Sequence, residues 1–111
     1  MPSLVDGIHV VNTETIPGFV IQDQLGVVSG STVRAKNVVR DISQMLKNIV
    51  GGELHQYTNL LIESRNEAFS RMLEDAKARG ANGVVNLRFA TSAVSPGAAE
   101  LFCYGTAVIV E

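Results

Sequence analysis

The chain has 111 residues, with 46% hydrophobic and 18% charged residues and a formal net charge of −2. That length fits one domain, and the absence of any basic cluster denser than Arg34 and Lys36 excludes the electrostatic footprint of a nucleic-acid binder. A single cysteine, Cys103, excludes an intrachain disulfide, and no apolar run nears the ~20 residues that span a bilayer.

Charged residues usually make up about 25% of a domain. A small domain also has much surface for its volume, so this chain should keep apolar surface to spare. Burial between identical copies is its simplest destination, and a homo-oligomer is expected. Residues 1–18 show no basic stretch followed by an apolar one, so no signal peptide is expected. With the lone cysteine, this points to a soluble cytoplasmic protein with neither membrane nor nucleic acid as partner. The whole of 1–111 reads as a single domain, with 1–8 poorly ordered.

His9-Val10-Val11 is a short β-type run, followed by the turn signal Pro17-Gly18. Phe19 to Ser31 is a longer strand candidate. Alternation puts Phe19, Ile21, Leu25 and Val27 on one face with Asp23, and Val20, Gly26, Val28 and Gly30 on the other. Asn37 is a helix cap, and Val38, Val39, Ile42, Met45, Leu46, Ile49 and Val50 follow at helical spacing. Gly51-Gly52 ends that helix.

A second, longer helix runs from about Glu53 to Arg79 and stops at Gly80. Its central stripe is Leu54, Tyr57, Leu61, Ala68, Met72 and Ala76, flanked by Ile62, Phe69 and Leu73. The arc is wider than one sheet needs and predicts a second contacting body. Gly83 to Ala90 is a strand with Val85, Leu87 and Phe89 on one face; Thr91 to Ala99 reads as a loop. Leu101 to Val110 is apolar on both faces, so both should be covered. The order β-α-α-β-β predicts an α+β two-layer sandwich, a mainly antiparallel sheet with one long helix packed on it.

Candidate chemistry is sparse. Soft-metal ligands are limited to Cys103, His9 and His55, plus the thioethers of Met45 and Met72, and no two of the first three share a ligand spacing. Cys103 reads as a buried inert thiol and His55, near Glu53, as a solvated imidazole at a helix start. These two are the weak candidates for a divalent heavy metal. Gly51-Gly52 precedes a helix but lacks the Walker lysine and the Rossmann spacing, and Glu53 already complements the helix dipole. Serines 29, 31 and 64 have no histidine at a motif-defined position.

Arg65 stands out. On the helical wheel it projects within about 20–30° of Leu54, Leu61 and Met72. Either its stem lies over apolar surface with its head in water, or it meets a carboxylate in a buried or interfacial pair. Pairing is the preferred reading, with Asp23 as first partner and Glu14 and Glu100 as the others.

The segments TETIPGFVI (13–21), LGVVSGSTVRAKNVVRDI (25–42), VGGELHQYTNLLIESRNEAFSRM (50–72), GANGVVNLRF (80–89) and YGTAV (104–108) together resemble the YbjQ-like family over nearly the whole chain. That family carries the label "putative heavy-metal-binding domain". Gly83 stands where alanine is common in it. The resemblance implies a small β-α-β-β domain assembled into a ring, typically a pentamer, comparable to a dodecin subunit. It implies no established enzymatic activity and metal binding only by label. Three functions compete: a self-assembling scaffold or small-ligand binder, a heavy-metal-binding protein, and a small enzyme with an intersubunit site at Glu53, Tyr57 or Arg65. The first is the preferred reading.

Overall fold

A computed structural model describes residues 4–34, 53–95 and 98–111. The helix expected over 38–50 lies outside the described residues. The described elements are β1 (Leu4–Val5), β2 (Ile8–Val10), β3 (Ile21–Arg34), α1 (Glu53–Ala78), β4 (Gly83–Ser95) and β5 (Ala98–Val110). They form an α+β layer pair: one mixed sheet in the order β1-β2-β4-β5-β3, with α1 packed across β3 and β5. Only β2 and β4 run parallel; the other three pairings are antiparallel.

The N-terminus is built into this sheet from Leu4 onward, with Leu4 opposite His9 and Val5 opposite Ile8, where little order was expected. Both long strands of the β4–β5 hairpin also run further than their apolar cores suggested. Thr91–Ser95 and Ala98–Glu100 are strand rather than loop, because cross-strand pairing continues from Ser92/Glu100 to Ser95/Ala98.

Local chemistry explains the punctuation. Pro17 and Gly18 occupy the centre of a turn closed by Phe19 N–H donating to the Ile16 carbonyl at 3.1 Å, and Gly18 has φ +85°. Proline pre-sets the first centre and glycine tolerates the positive φ at the second. Helix α1 ends in a Schellman pair: Gly80 N–H donates to Lys77 O and Ala81 N–H to Ala76 O. Asn82 then acts as a piece of strand. Its Nδ2 donates to Val110 O at 2.9 Å, and its Oδ1 accepts from Val110 N–H at 2.8 Å. At Gly83 a Cβ would press on Ile16 Cδ1 and Val108 Cγ2 at 3.0 Å, which explains why this chain omits even a methyl there.

The main core lies between α1 and the sheet. Ala68, Met72, Leu73 and Ala76 meet Ile8, Val10, Val28, Val84, Cys103 and Ala107, all nearly fully buried. A smaller cluster sits on the opposite face, where Ile16 covers Val85, Val108 and Val110. Both faces of β5 are thus covered along part of its length, while Tyr104 remains 38% exposed.

Two strand faces differ from the alternation read in the sequence. In β3 the residues beneath α1 are Val28, Gly30 and Thr32, and Val27 points out at 66% exposure. Bulges between Ile21 and Asp23 and between Gln24 and Gly26 break the alternation, and the helix selects the glycine face because it lies so close. In β4 a bulge at Asn86–Leu87 places Val85 opposite Thr106 but Phe89 opposite Cys103, so those two share no face. Asn86 takes φ +56° there. The bulge turns the Asn86 and Leu87 N–H groups to the carbonyls of Thr13 and Val11.

β3 is an edge strand, and α1 covers part of that edge with side chains. Arg71 Nη1 donates to Ser31 O at 2.5 Å, Asp75 Oδ2 accepts from Ser29 N–H at 3.3 Å, and Arg79 Nη1 donates to Leu25 O at 3.0 Å. Arg71 also pairs with Glu67, and Arg79 with Asp75. A row of helix side chains thereby occupies backbone groups that another strand would otherwise use.

Candidate ligand-binding cleft

Where the bulge of β4 draws the 11–13 segment toward it, a cleft of about 670 Å³ opens. Its walls are Val5, Val10, Val11, Ile16, Phe69 and Leu87, with His9, Asn12, Thr13 and Pro17 completing the lining. β2 supplies His9 and Val10, the Pro17-Gly18 turn supplies the rim, and α1 supplies Phe69. The described lining contains no Asp, Glu, Lys or Arg.

His9 lies between two buried residues, Ile8 and Val10, and its ring stacks at a tilt on Phe19 with centroids 4.4 Å apart. Its Nδ1 is buried with no hydrogen-bond partner among the described residues. With under 1 Å² accessible, this nitrogen is closed off from solvent and from a molecule in the cleft. The backbone around it is already engaged. His9 N–H donates to Asn82 O, Val11 N–H to Val84 O, and Thr13 Oγ1 to Thr15 O. Arg88 Nη1 reaches the Asn12 carbonyl at 2.8 Å.

Of the described residues singled out from sequence, His9 lines this cleft, and Arg65, Asp23, Glu14, Glu100 and Cys103 do not. Arg65 is exposed despite its place on the apolar stripe, and so is Asp23, whose Oδ1 accepts from Gln24 N–H at 2.9 Å. The ion pairs seen among the described residues are Arg71–Glu67, Lys77–Asp6 and Arg79–Asp75, so Arg65 and Asp23 do not pair within one chain. The physical reason lies in the neighbours. Leu61 and Ile62, on the same flank of α1, are 40% and 44% exposed, so the stripe is uncovered here and a charge meets water. Glu14 is exposed, and Glu100 is half-buried in β5 between Val33 and Ser92. The side chains of Glu53, His55 and Tyr57 lie outside the described part of α1.

Cys103 is fully buried, with its thiol 3.6 Å from Met72 Sδ. Burial pushes the thiol up from 9.0 to about 11, so it is protonated at neutral pH. A metal would need the thiolate. Among the described residues no group of three or more His, Cys, Asp or Glu side chains could hold a metal ion. The donor set therefore does not fit a heavy-metal centre within the described part of one chain.

Cys103 gives a direct prediction. A disulfide reagent at neutral pH should modify it at least about a hundredfold more slowly in the folded protein than in urea, because reaction waits on opening. Its raised folded pKa means the neutral thiol's contribution is intact below pH 9 and is lost as pH rises through about 11. The stability advantage of wild type over Cys103→Ala should shrink over that window in chemical denaturation. Fast native-state labelling would show that the thiol is accessible.

Sequence reasoning treated His9 only as an isolated imidazole. The signal that marks it was present: a lone polar ring inside the apolar run Ile8-His9-Val10-Val11. Phe69 and Leu87 carried no such sign, because they reach the cleft only through the helix packing and the β4 bulge.

Comparison with known proteins agrees on a family. The YbjQ_1 family model, described as "Putative heavy-metal-binding", matches residues 8–111. A "UPF0145 protein" of Hahella chejuensis is 60% identical over 102 residues, covering 92% of this chain and 98% of its own. Another, from Thermococcus kodakarensis, is 52% identical over 107 residues, covering 96% and 95%. A crystal structure of a protein of unknown function of the DUF74 family from Pediococcus pentosaceus superposes with a TM-score of 0.60 at 16% identity. It covers 95% of this chain and 99% of that one, a likeness of fold.

Proposed function

The chain belongs to the YbjQ family, described as "Putative heavy-metal-binding", and from that premise we propose that it is a self-assembling protein that binds a small ligand and performs no chemistry of its own. The observation that carries this reading is the cleft: a mostly apolar recess whose described lining holds no Asp, Glu, Lys or Arg. At about 670 Å³ it falls within the ~300–1,000 Å³ typical of small-molecule sites.

Assembly rests on the exposed apolar side chains. Leu61 and Ile62 on α1, Val27 in β3 and Val20 just before it leave apolar area on a small chain that a second copy would cover. A ring, five-membered as the family resemblance implies, is the form proposed. In it Arg65 meets a carboxylate of the neighbouring copy, Asp23 first among the candidates. A heavy metal is not proposed for the described residues of one chain, since their donors do not fit it.

The test is the solution mass by light scattering of wild type and of Leu61→Glu/Ile62→Glu, with small molecules then extracted from the purified wild type and identified by mass spectrometry. A wild-type mass several times that of one chain, reduced in the double variant, and a co-purifying organic molecule are expected. A monomeric wild type would reject the assembly. A stoichiometric metal with no organic ligand would reject the ligand reading.

A further inference from the structure

We propose that Asn82-Gly83 is a self-modification site: release of Val110 lets Asn82 deamidate through the Gly83 nitrogen, and the acid that results keeps the end of β5 from re-seating. Asn82 is the only asparagine in the chain followed by glycine. Asparagine is a thermolabile residue, and a glycine after it leaves no side chain to hinder approach of the next backbone nitrogen. In the reaction the Gly83 nitrogen attacks Asn82 Cγ. The new N–C bond closes a succinimide, the Cγ–Nδ2 bond breaks, and ammonia leaves with the proton of the Gly83 nitrogen. Water then opens the ring to aspartate or isoaspartate. The fold asks for both halves of this labile pair. Asn82 both donates to and accepts from Val110, which aspartate cannot do, and a Cβ at Gly83 would press on Ile16 and Val108.

In the folded chain the reacting groups are committed elsewhere. Nδ2 donates to Val110 O at 2.9 Å, and Oδ1 accepts from Val110 N–H at 2.8 Å. The Asn82 N–H donates to Val108 O at 3.2 Å, and its carbonyl accepts from His9 N–H at 2.9 Å. Gly83 is buried and lies in register between His9 of β2 and Val108 of β5. Cyclisation must turn the Asn82 side chain back over its own following peptide bond, and both bonds to Val110 oppose that turn. Val110 is itself buried and paired with Ile21, and Glu111 beyond it exchanges two backbone bonds with Val20. The reaction therefore waits on local opening at this end of β5. Afterwards the change is lasting. Aspartate is ionised at neutral pH and only accepts, so an oxygen faces the Val110 carbonyl where Nδ2 had donated. Isoaspartate also adds a backbone carbon between the Schellman end of α1 and β4, which displaces Gly83 from His9 and Val108. The change reaches β2, whose His9 lines the cleft.

The experiment keeps the full chain warm at neutral pH and follows residue 82 by peptide mass spectrometry, separating asparagine, aspartate and isoaspartate. Conversion should be at least about tenfold slower in the folded chain than in guanidinium chloride, as an opening step imposes. Val110→Pro, which lacks the N–H that holds Asn82 Oδ1, should convert at a rate between the two. In Asn82→Asp, hydrogen exchange over residues 106–111 should quicken several-fold, while exchange over residues 68–76 of α1 stays as in wild type. Equal conversion in the folded and unfolded chain, or a Val110→Pro rate equal to that of folded wild type, overturns the gating by Val110. Unchanged exchange over 106–111 in Asn82→Asp overturns the lasting release of β5. No conversion at residue 82 even in guanidinium chloride overturns the site itself. Should Val110→Pro fail to fold, the wild-type ratio and the exchange in Asn82→Asp decide the matter.

Discussion

Replacing Gly30 by alanine is expected to cost about 3 kcal/mol or more of folding stability, and replacing it by valine should leave little folded protein. A Cβ at Gly30 would collide with the backbone carbonyl oxygen of Ala68 and the amide nitrogen of Met72. Neither atom belongs to a flexible side chain, so relief requires α1 to lift off the sheet. Lifting it opens the layer that holds Val28, Met72 and Cys103, each fully buried. Urea denaturation of Gly30→Ala, beside Ser29→Ala on the outward face of the same strand, measures the cost. A loss under about 1 kcal/mol would mean that α1 does not approach β3 so closely.

Met72→Ala should rank second, at about 2–5 kcal/mol, by removing a fully buried side chain whose neighbours are fixed to two different layers. The cavity opens between α1 and Cys103, whose Sγ is 3.6 Å from the missing sulfur. Cys103 labelling should therefore quicken in this variant. Met72→Leu, which keeps the volume, should cost under about 1.5 kcal/mol. Total stability for such domains is about 5–15 kcal/mol, so either alanine change removes a large share. Equal losses for alanine and leucine would place the effect in thioether chemistry instead of packing.

Several elements are legible in the residues alone. The long helix ends at Ala78 by the Gly80 signal, and its second half buries Ala68, Met72, Leu73 and Ala76 as the periodicity indicates. The Pro17-Gly18 turn and the inert, buried Cys103 are equally plain. These rest on local chemistry: a proline sets its own φ, a glycine stops a helix, and a 3.6-residue repeat of apolar side chains marks one side of a helix.

The candidate site was largely illegible. Nothing in the sequence sets Arg71, Asp75 and Arg79 apart, yet they occupy the edge of β3 because the helix crosses there. His9 acquired its surroundings from the parallel pairing of β2 with β4 and from the loop that the Asn86–Leu87 bulge draws in. Arg65 was read as part of a packed layer and stands in water within one chain, since Leu61 and Ile62 beside it are left open.

By itself, then, the sequence determined the second half of the long helix and its apolar side, the Pro17-Gly18 turn, the central parts of the three long strands, the family and the poverty of metal donors. Only the tertiary structure decided which face of β3 and of β4 lies beneath α1, that Leu61 and Ile62 on α1 stay exposed, and where His9, Phe69 and Leu87 come to line one recess. The reason is that alternation in a strand states a period without naming the inner face, and one bulged residue inverts it. The inner face was chosen where a backbone had to come close, at Gly30, and that closeness exists only once helix and sheet are in contact.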